Sequence, residues 1–172
     1  MRASLVSVAL TAALGASPRC IRSSDAEPLW QAEVRAAYGL AVSGSGTQMS
    51  ARATPLTVAG IAAFAFNEDP PLSGYGGLTV EMLDRSSVGT LFGVMLRPHG
   101  SHLRLTGGGV YVFAPYTLWG ATASMGLCFH ITPRTGMCAD AQLTAYFAGS
   151  DLADGRTSTA GQGVLGLVFD AL

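Results

Sequence analysis

The chain has 172 residues, a net charge of −1 and only 12% charged residues, none of them lysine. Nucleic-acid binders need a basic footprint, and soluble domains carry roughly 25% charge. A pI near 6.2 and a mean hydropathy of +0.37 therefore leave no case for nucleic acid and too few charges to coat a soluble surface. The longest apolar run, 56–66, falls short of the roughly 18 residues a membrane helix needs. The remaining way for so apolar a chain to meet lipid is a closed β-barrel.

Residues 1–26 read as a signal peptide and short leader. Arg2 supplies the basic start and "SLVSVALTAALGA" the apolar stretch, with small residues for cleavage at Gly15 or Ala16. Arg19 stands where a lipobox wants a small residue, so Cys20 is not expected to be lipidated. It is the odd thiol of three cysteines.

Residues 27–172 read as one domain of alternating apolar and polar positions, the period of strands. In "WQAEVRAAYGLAVSG", Trp30, Val34, Tyr38, Leu40 and Val42 share one parity and Glu33 and Arg35 the other. The pattern returns in seven further stretches, near 54–66, 77–85, 88–97, 103–113, 118–131, 137–147 and 162–172. Turn-forming "NEDPPLSG", "DRSS", "RPHGS", "APYT", "TPRTG" and "GSDLADGRTSTAG" separate them. Short connections make sequence neighbours antiparallel neighbours. The expected fold is all-β, an eight-stranded antiparallel up-and-down transmembrane β-barrel. Segments 43–53 and 149–161 read as its longest loops away from the termini, with Arg52 and Arg156 as their only large anchors.

Alternation alone does not say which face is inside. Here the polar parity is mostly Gly, Ala, Ser and Thr, and the other parity carries nearly all the Phe and Trp. A narrow lumen with a lipid-facing exterior fits that division. Trp30, Phe64, Phe66, Tyr75, Phe129 and Phe169 are expected to form a girdle near the termini, and Phe113, Trp119 and Phe147 a second one opposite. In this pattern, residues 28–172 resemble the small eight-stranded outer-membrane barrels of Gram-negative bacteria, the OmpA/OmpX type. No family motif is matched. The family usually ends on an aromatic residue, whereas this chain ends "VFDAL" with Phe169 three residues early. The resemblance implies residence in the outer membrane after secretion, with membrane lipid and the insertion machinery as partners. A monomer is favoured, and no nucleic acid, cofactor or metal is expected.

Candidate site residues fall in three groups. Glu33, Arg35, Glu81, Arg97, Arg104, His130, Asp140 and Asp170 have lumen parity and mixed sign, and charges in a narrow lumen should pair. Cys128 and Cys138 flank "TPRTG", either directly opposite or one pair out of register, and export favours their oxidation. With His130 and Asp140 they form a zinc-compatible patch, against which disulfide formation competes. Ala37, Ala41, Ala59, Leu83, Leu91, Val110, Val112, Leu118 and Val164 could line an apolar pocket in the half of the lumen away from the termini. His99 and His102 read as turn residues, and no G-x-S-x-G or Ser/His/Asp set is present. The first functional expectation is a non-enzymatic envelope barrel, an anchor or surface-interaction protein with a charge-plugged lumen. The alternatives are a lipid-binding or lipid-modifying barrel using the apolar pocket, and a small pore.

Overall fold

The structure is a computed structural model that describes residues 30–45, 48–68, 71–82, 86–98, 101–152 and 156–171. The expected leader, Cys20, Leu83 and His99 lie outside them. Nine strands follow in chain order: β1 (Trp30–Ser45), β2 (Gln48–Ala53), β3 (Leu56–Glu68), β4 (Pro71–Met82), β5 (Ser87–Leu96), β6 (Leu103–Ala114), β7 (Leu118–Thr132), β8 (Thr135–Gly149) and β9 (Thr157–Ala171).

Each strand pairs antiparallel with its neighbour, and β1 pairs with β9 from Trp30↔Ala171 to Gly44↔Thr157, which closes the sheet. Both β2 and β3 pair with β1, β2 along Leu40–Ser45 and β3 along Trp30–Ala37. They are two halves of one barrel strand broken at Thr54–Pro55, so the barrel has eight strands, as expected. Closure leaves no unpaired edge in lipid, which is the condition for a sheet to span a membrane.

The break has a local cause. Pro55 has no N–H for the ladder. Thr54 bridges the gap: its N–H donates to the Gly39 carbonyl at 2.9 Å, and its hydroxyl accepts from the Gly39 N–H at 2.7 Å. One extra residue on this side makes a bulge, and the inward parity switches across it. Arg52 on β2 and Thr57 and Ala59 on β3 therefore all face the lumen.

Burial follows the alternation. Val34, Tyr38, Leu78, Phe92, Met125, Leu143 and Leu165 are exposed on the exterior, where lipid would cover them. Trp30 packs edge-on against Phe64 at 5.1 Å in one aromatic girdle. At the far end Tyr111 stacks on Trp119 at 4.0 Å, with Phe113 exposed two residues along β6 and Phe147 exposed on β8 beside Ala148, the partner of Trp119. Tyr75 departs from expectation. It is buried in the lumen, in a cluster with Ala59, Ile61, Ala63, Leu91 and Met95. The reason is strand length: β4 begins at Pro71 rather than near Gly77, so Tyr75 takes the inward parity of Thr79 and Glu81.

Two expected loops also change character. Residues 43–53 are mostly strand, a hairpin in which Ser43 pairs with Ser50 and Gly44 with Met49. The segment at 149–161 shrinks to residues 150–156 between β8 and β9. In both places pairing with β1 overrides the Gly, Ser and Thr content that reads as loop.

Candidate functional site

The lumen divides at Arg35. Towards the termini, four charged side chains from three strands converge. Glu33 and Arg35 come from β1, Arg104 from β6 and Asp140 from β8. All four are buried, and Arg104 has no exposed surface. Its Nη1 donates to Glu33 Oε2 at 2.8 Å, its Nε donates to Asp140 Oδ1 at 3.2 Å, and its Nη2 pairs with Asp140 Oδ2. Arg35 Nη2 donates to the same Glu33 Oε2 at 3.3 Å. Two carboxylates meet two guanidiniums, so the cluster is neutral, as a low-dielectric lumen demands.

Glycines make the room. A Cβ on Gly126 would lie 2.1 Å from Asp140 Oδ1, and one on Gly166 would lie 2.4 Å from Glu33 Oε1. Nearby, Thr106 and Ser124 share a 2.7 Å hydroxyl hydrogen bond.

The other expected charges stand apart from this cluster. His130 Nε2 and Asp170 Oδ2 lie 3.3 Å apart, with His130 exposed at the terminal rim. Arg97 follows β5 at the same end, and its N–H donates to the Pro71 carbonyl at 3.2 Å. Glu81 sits at the opposite end of the lumen. There Glu81 Oε2 accepts from the Ser87 hydroxyl at 2.6 Å and the Tyr116 hydroxyl at 2.9 Å. Burial pushes the Tyr116 phenol above its ordinary value, and the adjacent Glu81 carboxylate pushes the same way, so the phenol keeps its proton and donates. Glu81 parts from the other charges because β4 starts at the terminal rim and runs away from it.

Cys128 and Cys138 are directly opposite in the β7–β8 ladder and form a disulfide, with Cα atoms 4.1 Å apart. Of the two registers left open by the sequence, this is the paired one. The bridge takes both sulfurs that zinc would need. His102, at the terminal rim, places Nδ1 3.1 Å from the Cys128 carbonyl and its ring 4.8 Å from Phe129.

Away from the termini the lumen opens into a cavity of about 860 Å³. Ala37, Ala41, Ala59, Leu91, Val110, Val112 and Leu118 line it, as the sequence suggests, while Val164 is buried and does not. The pocket is not the apolar one expected. Thr122, Gln142, Thr144 and Gln162 form the wall on β7, β8 and β9, Arg35 and Tyr75 lie at the inner end, and Arg52, Glu81, Asp151 and Arg156 also line it. The sequence reading gave Arg35 and Glu81 lumen parity but did not assign the polar groups to this cavity, and it missed Ile61, Ala63, Met95 and Val168, which fill the lumen as apolar residues of inward parity. Parity was their only signal.

Closed strand order, inward charges and an apolar exterior decide the architecture. The chain is a small eight-stranded barrel of the outer-membrane type. Among solved structures it is similar to the neisserial surface protein NspA, at 13% identity and a TM-score of 0.49 over 86% of this chain and all of that one. It is also similar to Ail, the attachment invasion locus protein of Yersinia pestis, at 13% identity and a TM-score of 0.47 over 84% of this chain and all of that one. A second Ail structure, in complex with the heparin analogue sucrose octasulfate, gives 16% identity and a TM-score of 0.43 over 81% of this chain and 97% of that one. No family model and no curated protein matches the chain.

Proposed function

We propose that the protein is a non-enzymatic barrel of the Gram-negative outer membrane, closed at the end of the termini and open as a cup at the other. The observation that carries this reading is Arg104. A fully buried guanidinium on β6 is held by Glu33 on β1, the strand facing it across the lumen, and by Asp140 on β8. Ion pairs from three strands, with Tyr75 and Met95 also buried in the lumen, support a plug rather than a passage. The loops then serve as surface contacts on a fixed anchor.

The polar wall of the cup speaks against an acyl chain. Gln142 and Gln162 donate to Thr144 and Thr54, and hydrocarbon packed against them would strand the amide oxygens that those bonds leave unused.

Conductance in planar bilayers tests the plug. The expected result for the purified, refolded barrel is a silent membrane. Stable unitary currents would make the protein a pore and defeat this reading.

A further inference from the structure

We infer that the open half of the lumen is a binding cup for a small sugar acid, with Arg35 at its floor as the group that receives the carboxylate. The inference rests on the plug proposed above, because the plug turns the lumen into a cup with a floor.

Arg35 carries the argument. It is 5% exposed and lines the cavity. Its Nη2 reaches Glu33 Oε2 at 3.3 Å, but that oxygen also accepts from Arg104 at 2.8 Å. Arg104 additionally holds Asp140. Arg35 is thus the weaker claimant on a shared carboxylate, and its buried Nε has no hydrogen-bond partner. Leaving such a donor unsatisfied is costly. A planar carboxylate offers the acceptor geometry a guanidinium fork matches.

The walls supply the rest of the chemistry. On β3, β5 and β6 the cavity is lined by Ala59, Leu91, Val110 and Val112. Facing them on β7, β8 and β9 are Thr122, Gln142, Thr144 and Gln162. A sugar ring has the same two-sided character, with an apolar C–H face and hydroxyl edges. Gln142 donates to Thr144 at 3.2 Å and Gln162 to Thr54 at 3.4 Å, so a simple alkyl acid would leave their amide oxygens without donors, and a neutral sugar would leave Arg35 with only its 3.3 Å share of Glu33. The cavity's roughly 860 Å³ lies within the size range of small-molecule sites and accommodates one or two rings. At the mouth, Arg52 and Arg156 are balanced by Glu81 and Asp151, so the entrance sets no barrier to a single negative charge.

The test is calorimetric titration of the refolded barrel in lauryldimethylamine oxide, a detergent without a sugar headgroup. The probes are glucuronate, glucose and hexanoate. Glucuronate should bind saturably, and both others at least about tenfold more weakly, the scale of one charge-assisted hydrogen bond. Arg35→Gln should weaken glucuronate by about tenfold or more on the same basis. Ala59→Phe, which fills the cavity and alters no charge, should abolish binding while the protein keeps the gel mobility of a folded barrel. Should Arg35→Gln fail to fold, Ala59→Phe and the glucuronate-to-glucose ratio decide.

No heat with glucuronate up to about 10 mM, a concentration that would reveal even millimolar affinity, overturns the inference. So does glucose or hexanoate binding as well as glucuronate, or unchanged binding in either folded variant. A silent bilayer together with no glucuronate binding removes the cup and leaves the plug; unitary currents remove the plug itself.

Discussion

Arg104 on β6 and Asp140 on β8 pair across an intervening strand, and the β7 residue in register with both is Gly126. The ion pair lies over a position that has no side chain. A Cβ there would sit 2.1 Å from Asp140 Oδ1 and 2.2 Å from the Ala139 carbonyl oxygen, and backbone cannot swing aside.

Gly126→Ala should therefore cost stability, on the order of 1–3 kcal/mol as overpacking does in a tight interior. Urea unfolding in lipid vesicles, followed by tryptophan emission, reads it. Gly60→Ala is the matched control, because a Cβ at Gly60 meets nothing within 4 Å. Equal unfolding midpoints for the two variants would show that the pair does not need the gap.

Removing the guanidinium alone should be far worse than removing it together with its carboxylate partner Asp140. Arg104→Met leaves Glu33 and Asp140 buried with only Arg35 to answer them. Breaking a buried pair in this way typically costs about 3–5 kcal/mol. The double change Arg104→Met, Asp140→Asn leaves the Glu33–Arg35 pair intact and no charge unanswered, and should recover most of the loss. The same unfolding assay decides it, and a double variant weaker than Arg104→Met would contradict the account.

Period two made the faces readable. Glu33 and Arg35 against Val34 and Tyr38, and the shared inward face of Cys128 and Cys138, can be placed by counting alone. Height along the barrel follows less directly, because it depends on where each strand starts and how far its neighbours are staggered. Strand direction alone separates Glu81, at the far end with Ser87 and Tyr116, from the charges near the termini. Tyr75 was misplaced because "NEDPPLSG" reads as a turn, whereas the ladder continues to Glu68↔Pro71. Arg52 was hidden differently, by the extra residue at Thr54–Pro55 that reverses parity. The open cup was half visible: its alanines and valines stand out in a strand pattern, but Gln142 and Gln162 gain meaning only when β8 and β9 set them side by side.

The Cys128–Cys138 bridge should contribute modestly, because the loop it closes is short. For a crosslink of sequence separation 10, the chain-entropy relation gives about 2–3 kcal/mol. The hairpin is already held by β7–β8 pairing on one side and β8–β9 pairing on the other. Cys128→Ala, Cys138→Ala protein is therefore expected to fold and insert, with a modestly lower unfolding midpoint. Non-reducing peptide mapping of protein from the oxidising compartment should recover the linked peptides. Two free thiols there would reject the bridge.

The exterior assignment gives the sharpest test of the membrane reading. Val34 on β1 and Leu143 on β8 are 54% and 56% exposed on a surface that water would not tolerate in quantity. Their neighbours in the strand, Glu33, Arg35 and Thr144, are buried inside. Val34→Arg or Leu143→Arg sets a guanidinium against hydrocarbon, at a cost of about 2–4 kcal/mol near the midplane and less towards either girdle. The cost should appear as a lower folded yield in vesicles and be largely absent in short-chain detergent, where the head group reaches water. A soluble, lipid-independent folded monomer, or arginine variants that insert as well as the parent, would mean that the apolar face packs against something other than lipid.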